Sequence, residues 1–366
     1  MKILYDHQIF TNQKFGGISR YFYEVINGLN KQTNIKCEIS LLVSSNHYIS
    51  DRKIVNHINL LPNKNFRGKV RLFNLINKPY SILKIRDQLF DIFHPTYYDP
   101  YFLKYIGNKP FVVTVHDMIH EKFKEFFSPK DKTSHYKKLL VEKATKIISV
   151  SKNTKKDLID IFGIDESKIE VVYHGYLKSV KPNINLNFKL PDKYILFVGN
   201  RNGYKNFERF IKSISKILRK DKDLYVICAG GGKFNSKEIY LLSEFRIKNK
   251  VLQYDVNDEE LAYLYRNASS FVFPSLYEGF GIPILEAFAC GCPVVCSNSS
   301  SFPEIAEEAA YYFDPYSENS INYAIIKVIE DSKLRNELIH KGYEKLKDFS
   351  WEKTAEQTKK VYENLW

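Results

Sequence analysis

The run "SFVFPSLYEGFGIPILEAFACGCPVVCS", residues 270–297, holds two short apolar segments with helical sequence between them. "SFVFPS" (270–275) is rich in aromatic and apolar residues, the pattern of a buried strand. Pro283 suits the first turn of a helix, where its missing N–H costs nothing, so a helix starts near residue 282. "PVVCS" (293–297) then reads as the next strand. Strand, helix and strand in such close succession make a βαβ unit and commit this part of the chain to a parallel α/β sheet. The same unit places two carboxylates. Glu278 falls in the loop at the strand's carboxyl end, and Glu286 about one turn into the helix, near its positive end. Between them "GFG" (279–281) exposes backbone N–H groups.

The alternation extends outward from this unit. Upstream, "YILFVGN" (194–200), "LYVICAGGG" (224–232) and "VLQYDV" (251–256) read as strands, with helices near 205–219, 236–246 and 258–268. The tail from about 317 reads as helical. In the first half, "KILYD" (2–6), "CEISLLV" (37–43), "DIFH" (91–94), "FVVTVH" (111–116), "KIISV" (146–150) and "IEVVYHG" (169–175) read as strands. Residues 16–30 form a turn and an amphipathic helix, with Ile18, Tyr21, Phe22, Val25 and Leu29 at helical spacing. "LKSVKPNINLNFKLPDK" (177–193), with its prolines, asparagines and weak periodicity, reads as a linker. The expectation is two doubly wound α/β domains, residues 1–178 and 190–349, facing a central cleft. Ligands in such folds sit at the carboxyl ends of the strands.

Composition narrows the class. The chain has 366 residues, 44% hydrophobic and 27% charged, as globular proteins do. No apolar run reaches the roughly 18–20 residues that span a bilayer. "MKILYDHQIF" lacks a signal-peptide layout, since Asp6 and His7 break its apolar stretch; the expected location is cytoplasmic. Cys290, Cys292 and Cys296 cluster without a second Cys/His pair at zinc spacing, so all five cysteines are expected to be buried thiols. The net charge of +13 is uneven. Residues 1–180 hold 29 Lys and Arg against 17 Asp and Glu, a net +12; residues 181–366 hold 26 against 25, a net +1. A basic half suits anionic lipid, nucleic acid or an acidic substrate, and equally a soluble Lys-rich surface. Residues 64–86 interleave Lys64, Arg67, Lys69, Arg71, Lys78, Lys84 and Arg86 with Phe66, Phe73, Leu75 and Tyr80. Such a segment can lie on an anionic membrane surface or line a cleft with a solvated basic face.

Four places put polar or glycine residues just after strands. "KFGGIS" (14–19) opens a helix, and Gly16 and Gly17 let a phosphate approach its N-terminus; an ordinary strand-to-helix turn reads the same way. "GNRNGYKN" (199–206) puts Arg201 and Lys205 past a strand end, two cations suited to a diphosphate or to a solvated turn. His116 follows the strand 111–115 and points toward the cleft or fills a structural role. The fourth place is Glu278 to Glu286. Carboxylates accept hydrogen bonds from paired sugar hydroxyls, and the loop amides between them suit phosphate. A ligand with both hydroxyls and phosphates is a nucleotide sugar. The only D-x-D, "DKD" (221–223), lies at the amino end of a strand and reads as a surface turn.

"EGFGIPILEAFACGCPVVCSNSSSFPE" (278–304) closely resembles the signature of family-4 glycosyltransferases, retaining enzymes of the GT-B fold. "GGISRYFYEV", "HPTYYDP", "VTVHD", "ISVSKNTKKDL", "VVYHGY", "FVGNRNGYKNF" and "WEKTAEQTKKVYENL" fall in that family's order, over nearly the whole chain. The resemblance implies that Glu278 contacts the donor hexose, Glu286 holds the ribose hydroxyls, and the amides of Phe280, Gly281 and Ile282 meet phosphate or hexose. Arg201 and Lys205 would neutralise the diphosphate, Gly16 and Gly17 would approach it from the first domain, and His116 would line the hexose and acceptor site. The family often has Arg where this chain has Asn200, with Arg201 one place later. The resemblance also implies that helix 350–366 packs back on the first, acceptor-binding domain. It implies retention by front-side attack, with no metal and no cofactor. "EGFGIPILEA" is most similar to mannosyltransferases of polysaccharide assembly using GDP-mannose, although users of UDP-sugars carry close variants. The acceptor would be a saccharide or lipid-linked saccharide, with contact to an anionic membrane surface as a further partner and no nucleic acid. Two rivals stay open: a non-hydrolysing UDP-sugar epimerase of the same fold, and a polyanion-binding protein read from the basic half.

Overall fold

In the computed structural model, which describes residues 1–32, 34–50, 53–60, 66–176, 186 and 188–366, the apolar runs become short parallel strands. The chain divides into two compact units: Met1–Gly175 with Ser350–Trp366, and Tyr176–Phe349. Of the expected linker, residues 177–185 and 187 lie outside the described residues.

The first unit holds β1 (Lys2–Tyr5), β2 (Lys36–Ile39), β3 (Val43–Ser44), β4 (Ile58–Asn59), β5 (Ile92–His94), β6 (Val112–Val115), β7 (Lys146–Ser149) and β8 (Ile169–Val171). Parallel pairing gives the orders β2-β1-β5 and β6-β7-β8, and a parallel bridge from Phe93 to Phe111 joins the two sets. β3 and β4 pair as a separate two-residue ribbon. The helix Gly17–Asn30 buries Tyr21, Phe22, Val25, Ile26 and Leu29, spaced three and four apart, against Ile3, Tyr5, Cys37 and Ile39. Each such side chain contributes about 1.5–3 kcal/mol relative to exposure. The helix Trp351–Glu363 lies against the helix Gly17–Asn30 and adds Trp351, Ala355, Val361 and Tyr362 to the same core. A Cβ on Gly28 would sit 2.7 Å from the Ala355 methyl, so glycine lets the two helices touch. Tyr362 also ends a buried hydrogen-bonded chain. Its hydroxyl lies 2.6 Å from the Tyr5 hydroxyl and 2.6 Å from His94 Nδ1, and His94 Nε2 is 3.0 Å from Thr114 Oγ1. Burial pushes the His94 pKa down to about 3, so its imidazole is neutral.

The second unit holds β9 (Lys193–Val198), β10 (Leu224–Ala229), β11 (Val251–Tyr254), β12 (Ser270–Phe273), β13 (Val294–Ser297) and β14 (Ala310–Phe313). They form a parallel sheet in the order β11-β10-β9-β12-β13-β14. Counted within the unit this is 3-2-1-4-5-6, the doubly wound order of a Rossmann-like domain. Connections leave β9 and β12 toward opposite sides, which opens a crevice at the carboxyl ends of these two neighbours. The helix Phe207–Lys220 covers the sheet with Phe207, Phe210, Ile211, Ile214 and Leu218. β14 is the strand of this unit with no counterpart in the sequence reading: "AYYF" is four residues long, and its central tyrosines are only half-buried.

Candidate active site

The crevice at the ends of β9 and β12 collects most of the expected donor residues of the second unit. Beyond β9 the chain makes a 3-10 turn, Gly203–Lys205, and then passes through Asn206 at φ 58°. The Asn206 amide explains why a residue other than glycine takes this left-handed position: it donates to Pro274 O at 3.1 Å and to Pro315 O at 2.8 Å. Leu276 N donates to Tyr204 O at 2.7 Å, so the turn carrying Lys205 and the loop carrying Glu278 are fastened together. Their side chains meet. Lys205 Nζ donates to Glu278 Oε1 at 2.6 Å, and the two side chains are only 16% and 14% exposed. One ammonium and one carboxylate thus stand together at the switch point of the sheet.

The Glu278 loop is held from below by serines that follow β13. Ser299 Oγ donates to Leu276 O at 3.0 Å. Glu278 N donates to Ser300 Oγ at 3.1 Å, and Ser301 Oγ, fully buried, lies 3.1 Å from Glu278 O and 2.8 Å from Phe280 O. The sequence reading gave "SNSSS" no role; three hydroxyls directly after a strand and before a Pro-containing helix were the available signal. Gly281 then takes φ 105°, a left-handed position, and caps the helix Ile282–Ala289 with Pro283 in its first turn. Phe280 and Gly281 are buried, Ile282 is half-buried, and Glu286 faces out half-buried from the same helix, its Oε2 3.5 Å from the Tyr265 hydroxyl.

Arg201 requires a correction. It was expected beside Lys205 as a second diphosphate cation, but its guanidinium is buried and already engaged. Nε donates to Glu238 Oε1 at 2.8 Å, Nη1 to Gly230 O at 3.0 Å and Nη2 to Gly232 O at 2.7 Å. Gly230, Gly231 and Gly232, all at positive φ, wrap the loop after β10 around it, and a Cβ on Gly231 would lie 2.8 Å from Arg201 Nη1. Glu238 in turn closes the capping box of the helix Ser236–Glu244. Arg201 is therefore a buried brace between two connections of the sheet.

In the first unit, Gly16 and Gly17 open the helix Gly17–Asn30. The Gln13 amide lies where a Cβ on Gly16 would stand, and Gln13 Oε1 accepts from Ser19 N at 3.4 Å. His116 follows β6. Its backbone N–H donates to the Tyr98 hydroxyl at 3.2 Å, and its ring meets Tyr21 edge-on at 5.1 Å and stacks on His174 at 6.1 Å. His116 Nε2 is shut off from solvent and has no hydrogen-bond partner among the described residues. Burial, with His94 and Lys137 nearby, lowers its pKa to about 3. It is a neutral imidazole, able to hydrogen-bond a hydroxyl but not to carry a proton as imidazolium at neutral pH. From sequence Tyr21 was read only as a helix position, and His174 was given no role. The loop below His116 is anchored by Lys137, which donates to Asp117 O at 2.8 Å and to Glu121 Oε2 at 2.9 Å.

Other expectations resolve locally. In "DKD", Asp221 Oδ1 accepts from Asp223 N and Leu224 N, and Asp221 pairs with Lys193 at 2.8 Å, a self-contained turn. All five cysteines are buried free thiols. Lys64 lies outside the described residues. The rest of the basic segment forms the helix Lys69–Arg86, whose buried stripe is Lys69, Phe73, Asn77, Ser81 and Ile85. Phe73 thus faces the core, and Lys78 and Lys84 pair with Asp99 and Glu38. Among the described residues no helix is long and apolar enough to cross a membrane.

Comparison with known proteins bears on this arrangement. Residues 15–176 match the family described as "Glycosyltransferase Family 4", and residues 183–345 the one described as "Glycosyl transferases group 1". O-antigen chain mannosyltransferase B of Escherichia coli is 28% identical over 373 residues, 95% of this chain and 96% of that protein. An uncharacterized glycosyltransferase of Methanocaldococcus jannaschii is 31% identical over 280 residues, 71% of this chain and 70% of that protein. Among solved structures, sucrose-phosphate synthase from Thermosynechococcus elongatus superposes with a TM-score of 0.77 at 20% identity, covering 100% of this chain and 99% of that one.

Proposed function

The chain belongs to family 4 of the glycosyltransferases, with the GT-B fold, and on that premise we propose that it moves mannose from GDP-mannose to a hydroxyl of a saccharide or lipid-linked saccharide, with retention and without a metal. The observation that carries the reading is the Lys205–Glu278 pair at the switch point of the second unit. A cation for a diphosphate and a carboxylate for sugar hydroxyls stand in hydrogen-bond contact, beside the N-terminus of the helix Ile282–Ala289. The likeness to an O-antigen mannosyltransferase along almost the whole chain supports mannose as the sugar and polysaccharide assembly as the setting.

As the diphosphate departs, negative charge grows on its oxygens. Lys205 and the amides of Gly281 and Ile282 stabilise it in place, and positioned donors of this kind are worth about 3–4 kcal/mol each. Glu278 orients the hexose and Glu286 the ribose. His116, neutral, offers Nε2 to a hydroxyl of sugar or acceptor. Retention then follows from attack on the face the diphosphate leaves. Peripheral contact with an anionic membrane is part of the same proposal. Leu72, Leu75 and Leu83 are exposed on the helix Lys69–Arg86 beside Arg71 and Arg86, and absence of co-sedimentation with anionic vesicles at low salt would remove this element.

The test is thermal stabilisation of the full chain by GDP, UDP, GDP-mannose and UDP-sugars with EDTA present. A ligand at about 100 times its Kd adds roughly 2.7 kcal/mol. Stabilisation by guanine nucleotides is expected. Response to uridine nucleotides instead would reassign the donor, conversion of a UDP-sugar with no acceptor would indicate an epimerase, and silence toward all of them would overturn the donor site.

A further inference from the structure

Asn206, buried at φ 58° and ψ 27°, directly follows Lys205 in the chain. Its side-chain amide is engaged on both sides. Nδ2 donates to Pro274 O at 3.1 Å and to Pro315 O at 2.8 Å, while Oδ1 accepts from Arg209 Nη1 at 2.9 Å. Arg209 Nη1 also donates to Pro315 O at 3.3 Å, and its guanidinium stands 5.6 Å from the centre of the Tyr316 ring. Only one orientation of the amide fits: turned over, its oxygen would face two carbonyls and its N–H groups a guanidinium. Pro274 directly follows β12, and Pro315 stands two residues past β14. One side chain therefore ties the turn after β9 to the exits of two other strands. The grip on Pro274 bears on the ammonium itself. Phe273, the residue before it, and Tyr204 flank Lys205 Nζ, with ring centres 5.5 Å and 5.3 Å away. The root of the Lys205 side chain and the walls around its tip are thus held by the same contacts. A flexible four-carbon stem does not set its own end point, and a displacement of about 1 Å near the chemistry costs on the order of 10²-fold in rate. Glycine would take the left-handed backbone as readily, so φ alone does not call for asparagine here; the hydrogen bonds of its amide do.

We propose that Asn206, oriented by Arg209, is a positioning residue: it holds the Lys205 ammonium where charge grows on the departing diphosphate. The role in transfer rests on the transferase reading; the placing of Lys205 rests on the hydrogen bonds of the amide.

The test is a double-mutant cycle of Asn206→Gly and Lys205→Ala in the full chain. It is read as release of GDP from GDP-mannose, or of UDP from UDP-glucose where uridine nucleotides are the ones that stabilise the protein, at a temperature where circular dichroism shows every variant folded. Asn206→Gly keeps the backbone conformation and removes the amide. Its kcat is expected to fall about ten- to hundredfold with little change in the KM of the donor, because a misplaced ammonium loses transition-state stabilisation before ground-state binding. In the Lys205→Ala background the same substitution is expected to cost nothing further, since no ammonium remains to be placed. A lower unfolding midpoint with kcat unchanged, or losses that multiply in the double variant, would mean a merely structural role and overturn the proposal. Where Asn206→Gly does not fold, Arg209→Met, at a half-exposed position, takes its place in the cycle, with a smaller loss in the same pattern. A second readout does not depend on turnover. The coupling between Lys205 and Glu278, from unfolding of the two alanine variants and their combination, is expected to shrink in the Asn206→Gly background, and an unchanged coupling would also overturn the proposal. A wild-type chain that releases no nucleotide and is stabilised by neither GDP nor UDP would sink the transferase reading, while a coupling that shrinks would leave Asn206 as the residue that places Lys205.

Discussion

Replacing Lys205 with alanine separates the two things its ammonium does. Nζ sits 2.6 Å from Glu278 Oε1, and both side chains are largely withdrawn from water. At an effective dielectric of about 20, unit charges at that distance attract by roughly 6 kcal/mol, most of which offsets their desolvation. Removing one partner leaves the other charge alone. Fully buried pairs then lose about 3–5 kcal/mol and exposed ones about 1 or less. At 16% and 14% exposure this pair falls between them, at about 2–3 kcal/mol. In the second unit that shifts the unfolding midpoint by about 5–10 °C. Glu278→Ala is expected to lose a similar amount of stability, and the double variant less than the sum, because no lone charge remains. Activity follows another rule. Each single variant loses on the order of 10²–10³ in turnover, and the double variant recovers none of it, since both ligand contacts are gone. Calorimetric unfolding beside nucleotide release from the donor reads both quantities. Near-normal turnover in Lys205→Ala and Glu278→Ala, or turnover restored in the double variant, would refute the site.

Four further outcomes follow from the geometry. Arg201→Ala should cost the second unit about 3–5 kcal/mol by stranding Glu238, and any folded fraction should still be stabilised by the donor nucleotide; a folded, normally stable variant that has lost nucleotide binding would restore the diphosphate role. Ser301→Ala should remove about 1–3 kcal/mol, since two loop carbonyls lose a buried donor, and should lower turnover more than donor affinity; unchanged unfolding and kinetics would dismiss the serine support. Glu286→Gln should leave the fold intact and weaken nucleotide stabilisation by about tenfold in apparent Kd, which a nucleotide titration followed by melting reads. His94 is depressed to about 3, so the unfolded chain takes up its proton first as pH falls below 6.5. Stability is full above that pH and declines by up to about 1.4 kcal/mol per pH unit toward pH 3; urea midpoints at pH 7 and pH 5 should show a smaller drop in His94→Asn.

The fold was legible where a single period ruled. Buried parallel strands such as β9 and β10 are nearly unbroken apolar runs, and the helices between them repeat at three and four residues. β14 and the β3–β4 ribbon escaped because two to four residues, some of them half-exposed, carry no period. The placement of the candidate site was legible where position decides: Glu278 and Lys205 lie in the loops that follow β12 and β9, and Pro283 marks where the helix begins. Sequence alone did not separate Arg201 from Lys205. Both stand just past β9, but which one faces the crevice depends on Gly230–Gly232, residues 29 to 31 positions later in the chain, folding back over one guanidinium. Sequence spacing measures distance along the chain and is blind to such returns. In the same way, the helix Lys69–Arg86 was read from its basic and aromatic residues. Its buried stripe instead includes Asn77 and Ser81, polar residues whose hydrogen-bond partners, among them Thr11, Leu42 and Val43 for Asn77 and Ser40 and Tyr101 for Ser81, are distant in sequence.

If the crevice is the donor site as proposed, its own counter-charges bear on how a donor enters. An empty crevice holding a lone carboxylate would pay in desolvation for waiting. Here Glu278 and Lys205 satisfy each other. On the proposed reading, a nucleotide sugar brings a diphosphate for the ammonium and hydroxyls for the carboxylate, so each charge leaves one partner for another without standing alone. The exchange is nearly balanced for the pair, and net affinity then comes from the rest of the nucleotide, including the ribose at Glu286. It follows that a free sugar, which can satisfy Glu278 but offers Lys205 nothing, should bind far more weakly than the diphosphate. Inorganic pyrophosphate, in turn, should reach the crevice only by stranding Glu278. Stabilisation by GDP that greatly exceeds stabilisation by mannose, with GDP-mannose exceeding both, is the order this exchange requires; mannose alone matching GDP would mean that the pair is not what the donor displaces.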